Sequence, residues 1–285
     1  MVEDLKIDTL KRLLAQAVQA AMTAAQEINA IYATGQFDVN IKENAAPITR
    51  ADRKSHDIIT EHLSFTRIPT ISEEGRHVRY DERQSWRLLW LIDPLDGTRE
   101  FIKINDEFTV NIALIQNGQP HIAVIVAPSI DTLYFALKGH GAYKISKFNF
   151  QGTYTECELD EMLPRAQRLP LPASPRPYTI FTSRSNVSAE MHIYRNLLRK
   201  LHPDLDVIVK GSSLKICLVA EGKADLYARI NPTSEWDTAA GQLIAEEAGC
   251  QLVDLHTMLP LRYNRQNLLN PPFAVKHPYD DIPKL

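Results

Sequence analysis

The chain has 285 residues, of which 44% are hydrophobic and 24% are charged, and its formal net charge is −3. A chain of this length and composition can bury the core of one large globular domain or of two closely packed lobes. The absence of a basic excess argues against a nucleic-acid polymer as the main partner, because such binding relies on many Lys and Arg side chains.

The cysteines and the hydrophobic pattern indicate a reducing compartment and no membrane span. Cys157, Cys217 and Cys250 are far apart and lack C-x-x-C spacing, so we expect reduced thiols instead of disulfides or a zinc site. No segment approaches the ~18 consecutive apolar residues of a transmembrane helix. Residues 1–14 mix charged and apolar side chains, unlike a secretory signal. We therefore expect a cytoplasmic protein.

The first half of the chain predicts helices followed by a run of strands. Apolar residues recur at helical spacing from Leu5 to about Ala33, which predicts one long amphipathic helix ended by Gly35. A second helix is predicted from Ala51 to Phe65. Strands are predicted at Leu88–Ile92, Thr109–Ile115, His121–Ala127, Asp131–Leu137 and Gly141–Ile145.

The second half alternates strand and helix after a Pro-rich connection at 148–177 that we expect to be irregular. Strands are predicted at Tyr178–Thr182, Val207–Val209 and Ala224–Ala228, with a final strand at Gln251–Val253. Helices are predicted at Ser188–Lys200, Ser213–Ala220 and Trp236–Ala248. The tail beyond Thr257 is expected to wrap over the surface. The fold class is therefore mixed: one domain with an α+β lobe, about 1–147, and an α/β lobe, about 178–285.

The segment Trp90–Thr98, with the sequence WLIDPLDGT, carries the most chemical information. An apolar strand delivers Asp93 and Asp96, and two such carboxylates can share a hard divalent cation, with the Leu95 carbonyl as a further oxygen ligand. Backbone N–H groups of Gly97 and Thr98 at a helix start can hold a phosphoryl group. The alternative is an ordinary turn, because Asp, Pro and Gly are common turn residues.

Further acidic segments occur at three other places in the chain. Glu73 and Glu74 follow a short apolar run, Asp52 lies three residues after Thr49 near the start of the second helix, and Asp237 begins a later helix. Each has an ordinary explanation, which is solvated surface for the glutamate pair and a favourable first-turn charge for the aspartates. Their joint occurrence favours one shared metal-binding site.

These motifs resemble the metal-binding motifs of the lithium-sensitive inositol monophosphatase superfamily. The resemblance spans nearly the whole chain and rests on Thr49–Asp52, Ser72–Glu74, Asp93–Thr98 and Trp236–Gly241. Further stretches resemble the bacterial 3′(2′),5′-bisphosphate nucleotidases of the CysQ type within that superfamily. They are Arg99–Ile102 with Glu107–Leu114, Thr182–Ser185 and Gly211–Gly222. The resemblance implies a layered αβαβα sandwich with the active site between the lobes.

The resemblance also implies a ligand set for two Mg²⁺ ions and a water-activating pair. Glu73, Asp93 and the Leu95 carbonyl would bind the first ion. Asp93, Asp96 and Asp237 would bind the second ion, and Glu74 is a candidate ligand of a third. Thr98, hydrogen-bonded to Asp52, would orient or deprotonate the attacking water, and the displacement would be direct, without a phosphoenzyme.

Substrate choice is predicted to rest on Lys215 and Arg229, because the second phosphate of a nucleotide bisphosphate needs cations of its own. By resemblance, these two residues and Ser212 would meet the non-scissile phosphate. The ordinary alternatives are a surface charge for Lys215 and a helix N-cap for Ser183. The predicted substrate contacts are Glu73, Leu95, Asp96, Gly97, Thr98, Ser183, Arg184, Ser185, Gly211, Ser212, Lys215, Arg229 and Asp237.

The predicted function is Mg²⁺-dependent hydrolysis of adenosine 3′,5′-bisphosphate to AMP and phosphate, in support of sulfate assimilation. Its sulfated precursor is a second candidate substrate. The alternatives are a phosphatase for inositol monophosphate or a sugar phosphate, and a binding protein that keeps a relic site. The resemblance alone implies lithium sensitivity and allows peripheral association with the inner membrane. A monomer and a homodimer are both compatible with the sequence.

Overall fold

The computed structural model describes residues 5–43, 45–147, 159–172, 174–184 and 188–285. The helices among these residues are α1 (Ile7–Thr34), α2 (Arg50–Ser64), α3 (Tyr80–Arg83), α4 (Thr98–Ile102), α5 (Leu159–Met162), α6 (Ala189–Leu201), α7 (Leu214–Ala220) and α8 (Glu235–Glu247). The strands are β1 (Asn40–Ile41), β2 (Pro47–Ile48), β3 (Thr70–Ser72), β4 (Leu88–Asp96), β5 (Thr109–Gln116), β6 (Gln119–Ala127), β7 (Thr132–Leu137), β8 (Gly141–Ser146), β9 (Gln167–Arg168), β10 (Thr179–Ser183), β11 (Asp206–Lys210), β12 (Leu226–Arg229), β13 (Gln251–Asp254) and β14 (Phe273–Lys276).

The two N-terminal helices lie where the apolar periodicity predicts them. Leu14, Val18 and Ile28 of α1 are fully buried on one face of the helix. The helix ends at Gly35, whose φ of 66° is left-handed and whose N–H donates to the Tyr32 carbonyl. Glycine adopts this conformation without the strain of a side chain. Within the described ranges, no helix is both long enough and apolar enough to cross a lipid bilayer.

A seven-stranded sheet has the strand order β3-β4-β5-β6-β7-β8-β9. β3 and β4 are parallel, and all other neighbours in this sheet are antiparallel. Trp90 and Ile92 of β4 share a core with α1 and α2. Leu89 and Leu91 share a core with α7 and α8 on the opposite face. A sheet that is buried on both faces has nearly continuous apolar strands, as β4 does.

A five-stranded sheet has the order β11-β10-β12-β14-β13. β10 is parallel to β11 and β12, and β14 is antiparallel to β12 and β13. Phe181 and Tyr227 pack with α7 and α8 on one face, while Ile180 and Leu226 pack with α6 on the other. The layers are therefore α1 with α2, the seven-stranded sheet, α7 with α8, the five-stranded sheet, and α6. This order confirms the predicted αβαβα sandwich and the mixed α/β class.

The prediction that the tail beyond Thr257 wraps over the surface, after a final strand at Gln251–Val253, is wrong for Phe273–Lys276. These 4 residues form β14, which is buried along its whole length and lies between β12 and β13. The strand directly follows Pro271 and Pro272, and prolines make such a segment resemble a loop. The position of β14 is set by its partners in the sheet.

The Pro-rich connection at 148–177 is only partly irregular. Residues 148–158 lie outside the described residues. After them, Leu159 and Met162 of α5 join the core beneath α1, and β9 pairs with β8. The division of the domain into two lobes stays a prediction. Helices α7 and α8, from the later part of the chain, pack against both sheets.

Candidate active site

The end of β4 is irregular where it carries its two aspartates. Asp93 lies opposite Asn111 of β5, and the register between the two strands shifts between Asp93 and Asp96. Pro94 has no N–H to donate to the ladder, and such bulges often redirect side chains next to functional sites. The Leu95 N–H donates to Asp93 Oδ1 at 3.1 Å. The bulge therefore turns two acidic side chains toward the same end of the sheet.

Three carboxylates from three elements converge at this end. Oxygens of Glu73, Asp93 and Asp237 all lie within 4.8 Å of one another. Glu73 directly follows β3, and its N–H donates to the Ile92 carbonyl at 3.1 Å, which places it beside Asp93. Asp237 lies in the first turn of α8, where one of its oxygens accepts the Ser234 N–H at 2.7 Å in a capping box. We call Glu73, Asp93 and Asp237 the carboxylate cluster.

The pKa values in and beside the carboxylate cluster show how strongly its charges repel. Burial, reinforced by the charges of Glu73 and Asp96, raises the pKa of Asp93 well above its ordinary value. Burial, followed by the charges of Asp96 and Glu73, raises the pKa of Asp237 to about 8. Closely spaced hard oxygen ligands with unfavourable mutual repulsion are the donor set that Mg²⁺ and Ca²⁺ bind. The residues present therefore fit a divalent cation.

Asp96 lies beside the carboxylate cluster and is not one of the three residues whose oxygens meet most closely. Its Oδ2 accepts the Ser213 N–H at 2.5 Å. Burial raises its pKa to about 6, against the opposing charge of Lys215. Asp96 and Asp237 both line the neighbouring cavity. The structure thus places Asp96 at the boundary between the carboxylate cluster and that cavity.

Asp52 and Thr98 form a hydrogen-bonded pair, as the resemblance implies. Thr98 Oγ1 donates to Asp52 Oδ1 at 2.9 Å. Asp52 Oδ2 accepts the backbone N–H of Thr49 at 2.7 Å and its hydroxyl at 2.5 Å. Burial raises the pKa of Asp52, and these hydrogen bonds oppose that shift by favouring the carboxylate. The catalytic roles of Asp52 and Thr98 stay predictions.

Lys42 is a neighbour of the cluster that the sequence reasoning missed. Its ammonium donates to Glu73 Oε1 at 2.9 Å and to Glu74 Oε1 at 2.5 Å. Burial raises the pKa of Glu74, and the Lys42 hydrogen bond opposes that rise. Lys42 lies between β1 and β2, thirty-odd positions before its partners, so no local pattern links them. A cation that binds Glu73 competes with this ion pair.

A cavity of about 180 Å³ adjoins the carboxylate cluster. The predicted contacts that line it are Asp96, Gly97, Ser183, Arg184, Gly211, Ser212, Lys215, Arg229 and Asp237. Lining residues that the prediction missed include Glu100, Lys210, Ser213 and Tyr227. Glu73, Leu95 and Thr98 do not line this cavity and lie on the carboxylate side instead. Ser185 lies outside the described residues.

Lys215 and Arg229 are held firmly in the wall of the cavity. Lys215 is 3% exposed, so a surface charge is the wrong interpretation. Its ammonium donates to the Ser212 carbonyl at 2.5 Å and lies 5.0 Å from the centre of the Tyr227 ring. Burial lowers the pKa of Lys215 to about 8, although the Asp96 charge opposes this. Arg229 Nη1 donates to Ser183 Oγ at 2.7 Å.

The alternative that Ser183 is a helix N-cap is also wrong. Ser188 caps α6, because its hydroxyl accepts the Met191 N–H at 3.3 Å. Ser183 instead ends β10 and binds Arg229. Its hydroxyl therefore belongs to the wall of the cavity.

The combination of clustered carboxylates with adjacent cations in a cavity wall is the chemistry of a metal-binding phosphatase. A family model described as the inositol monophosphatase family matches residues 9–278. The chain belongs to this family.

Relatives and solved structures agree with that assignment. The chain is 39% identical over 267 residues to the 3′(2′),5′-bisphosphate nucleotidase CysQ of Escherichia coli strain K12, covering 92% of this chain and 99% of that protein. The CysQ of Haemophilus influenzae is 34% identical over 270 residues, covering 93% of each chain. The crystal structure of CysQ from Bacteroides thetaiotaomicron matches with a TM-score of 0.85 and 43% identity, covering 95% of this chain and 98% of that one. An inositol monophosphatase from Thermotoga maritima, with 20% identity and a TM-score of 0.69 over 95% of this chain and 92% of that one, shares the fold.

Proposed function

We propose that the chain is a Mg²⁺-dependent 3′(2′),5′-bisphosphate nucleotidase that hydrolyses adenosine 3′,5′-bisphosphate to AMP and phosphate. The observation that carries the proposal is the junction of a carboxylate cluster with a cavity lined by Arg184, Lys210, Lys215 and Arg229. A monophosphate presents its only dianion to the cluster and needs few other cations. A bisphosphate has a second dianion, for which such cations are suitable partners.

The carboxylate cluster is the proposed Mg²⁺ site. Glu73, Asp93 and Asp237 would hold the metal, together with Asp96 and the Leu95 carbonyl from the bulge of β4. Bound Mg²⁺ supplies Lewis-acid polarisation of the phosphoryl group and lowers the pKa of coordinated water. Two ions, with Glu74 as a ligand of a third, are the number that the resemblance implies.

Thr98 and Asp52 are the proposed water-orienting pair. Because the Thr98 hydroxyl donates a hydrogen bond to Asp52 Oδ1, its oxygen lone pairs remain available to accept a hydrogen bond from a water molecule. Asp52 Oδ2 is held by two hydrogen bonds from Thr49 at the start of α2, so the carboxylate cannot rotate away from Thr98. The pair would thus fix the direction from which the nucleophile approaches the phosphorus atom.

The cations of the cavity would bind the rest of the substrate. Lys215 and Arg229 would face the phosphate that is not cleaved, and Ser183 and Arg184 would lie near the nucleoside. Lys215 would retain its proton at neutral pH, since its pKa of about 8 rises further when a dianion approaches. The fixed hydrogen bonds of Arg229 reduce the conformational entropy that binding costs.

A substrate panel tests this function. Phosphate release from adenosine 3′,5′-bisphosphate, its 5′-phosphosulfate analogue and inositol 1-phosphate is measured with Mg²⁺ and with EDTA. We expect Mg²⁺-dependent turnover, with kcat/KM for the bisphosphate at least tenfold above that for inositol 1-phosphate. A preference for inositol 1-phosphate would assign the monophosphatase activity instead. Metal-independent or absent release from every compound would favour a binding protein.

The pathway, the inhibition by lithium, the location and the oligomeric state are part of the same proposal. The resemblance supports a place in sulfate assimilation, inhibition by lithium, a cytoplasmic location and peripheral association with the inner membrane. A monomer and a homodimer are equally compatible with the proposed chemistry, because every residue named for it comes from one chain.

A further inference from the structure

Glu107 joins elements from the two sheets at the mouth of the cavity. It lies between α4 and β5 and is 7% exposed. Its Oε2 accepts the Gly211 N–H at 2.8 Å and Arg184 Nη2 at 3.0 Å. Its Oε1 accepts Lys210 Nζ at 3.2 Å. One carboxylate therefore binds Arg184, which follows β10, as well as Lys210 and Gly211, which lie at the end of the parallel strand β11.

The backbone around Glu107 has little freedom to move. A Cβ atom on Gly97 would approach the Glu107 carbonyl oxygen to 2.9 Å, and one on Gly211 would approach the same oxygen to 2.8 Å. Two glycines thus allow the chain to close tightly on this residue. Burial raises the pKa of Glu107, but hydrogen bonds from Arg184 and Lys210 outweigh burial and leave the pKa below its ordinary value. Glu107 is a fixed negative charge.

Arg184 and Lys210, in contrast, are partly open to the cavity. Their side chains are 43% and 37% exposed, whereas the Glu107 side chain is 10% exposed. Long, half-exposed cations lose much rotamer freedom when they bind a ligand. Ser183 pairs with Lys210 in the parallel register of β10 and β11, so Arg184 emerges next to Lys210. The three side chains together carry a net charge of +1, which attracts an anion.

We propose that Glu107 is a positioning residue that holds Arg184, beside the nucleoside, and Lys210 toward the cavity, where both join Lys215 and Arg229 in binding the phosphate of the substrate that is not cleaved. The inference rests on the proposed function, because a nucleotide bisphosphate is the substrate that carries such a group. Glu107 does not touch the reacting atoms and acts through the two cations.

Glu107→Gln tests the inference, since it keeps the shape of the side chain and removes its charge. We expect KM for adenosine 3′,5′-bisphosphate to rise about tenfold, because two side chains are no longer held in place. The value of kcat should stay within about twofold, and kcat/KM for inositol 1-phosphate should change less than about twofold. Glu61→Gln, at an exposed position of α2, is the matched control and should leave both substrates unchanged.

A double-mutant cycle separates positioning from a merely structural role. Arg184→Met with Lys210→Met should raise KM for the bisphosphate on its own. Adding Glu107→Gln to this pair should then raise KM no further, because both cations that it holds are gone. A further tenfold rise in the triple variant would assign Glu107 to fold stability and overturn the inference.

The remaining outcomes are equally decisive. Should Glu107→Gln fail to fold, Lys210→Met alone still tests the proposal, and an unchanged KM for the bisphosphate refutes it. A lower KM for the bisphosphate in Glu107→Gln would also refute the proposal. Removal of the negative charge of Glu107 would then aid substrate binding more than the loss of its hold on Arg184 and Lys210 impairs it. Loss of the proposed function would appear instead as absence of bisphosphate hydrolysis by the unaltered protein, so the two failures are distinguishable.

Discussion

Replacement of Lys215 by Met is the sharpest test of how the second phosphate is recognised. The change keeps most of the buried volume and removes one charge from the cavity wall, where Lys215 contacts the Ser212 carbonyl and the Tyr227 ring. A hydrogen bond to a charged group contributes about 1.5–3 kcal/mol, and about 1.4 kcal/mol corresponds to a tenfold change in binding. We therefore expect KM for adenosine 3′,5′-bisphosphate to rise roughly 10- to 150-fold.

The assay compares two substrates because Lys215 has a second neighbour. Its charge lowers the pKa of Asp96, but burial outweighs this effect and the pKa is still raised to about 6. Loss of Lys215 therefore makes Asp96 easier to protonate and weakens the binding of any metal ion by Asp96. This effect lowers the turnover of both substrates alike. The ratio of kcat/KM for the bisphosphate to kcat/KM for inositol 1-phosphate cancels this shared effect. Lys223→Met, at an exposed position outside the cavity, is the matched control.

The pH dependence gives a second measure of the same contact. Because the pKa of Lys215 is lowered to about 8 by burial, its charge is present below that pH and lost above it. KM for the bisphosphate should therefore rise above about pH 8 in the unaltered protein, and this rise should be smaller in Lys215→Met. An equal loss of kcat/KM on both substrates would refute the assignment of Lys215 to the second phosphate.

The other predictions concern the proposed metal ligands, the proposed water-orienting pair and the fold. Asp96→Asn and Asp237→Asn should each lower kcat/KM roughly 100-fold or more and raise the Mg²⁺ concentration needed for activity; near-normal turnover at low Mg²⁺ would contradict the ligand set. Thr98→Ala should lower kcat roughly 100-fold with little change in KM, and Thr98→Ser should restore most of it. In EDTA, the raised pKa of Asp237, about 8, means that the folded state binds a proton that the unfolded state releases, so melting temperature should rise as pH falls from about 8 toward 5. Asp237→Asn should flatten that slope, and an unchanged slope would refute this origin. Gly211→Ala should lower the melting temperature, because its Cβ would meet Glu100 Cγ at 2.8 Å.

The elements that sequence reasoning located are those with a local signal. Helices α1 and α2 repeat apolar residues every turn, and β4 to β8 are apolar runs bounded by turns. The predicted ends of these elements were less accurate. β4 continues from Ile92 to Asp96, because its last residues pair across a bulge that no periodicity reveals. β14 is a short strand after two prolines, and its position is determined by pairing with β12 and β13, which no local pattern reveals.

The same distinction applies to the site. The carboxylates were found because their motifs resemble those of a known superfamily. Lys42 and Lys210 carry no such signal. Glu107 begins a stretch that resembles the CysQ type, but nothing in that stretch indicates its contact with Lys210, 103 positions further along the chain. Contacts of this kind depend on tertiary packing, and the contact between Glu107 and Lys210 joins the segment before β5 to the end of β11 in the other sheet. They could not be inferred from composition or spacing.

Asp96 is the residue through which the proposed metal side and the proposed anion side of the site are expected to depend on each other. It accepts the Ser213 N–H at 2.5 Å, and the Ser213 hydroxyl donates to Asn111 Oδ1 at 2.8 Å. Asn111 lies opposite Asp93 in the β4–β5 register. The turn that carries Ser212 and precedes α7 is thereby bonded to Asp96 and, through Asn111, to the strand position opposite Asp93. A shift of this turn on binding the second phosphate would move Asp96 relative to the cluster, so substrate recognition and metal geometry are expected to be coupled. Measured Mg²⁺ affinity should accordingly be higher in the presence of AMP, the product that retains the second phosphate, than in its absence.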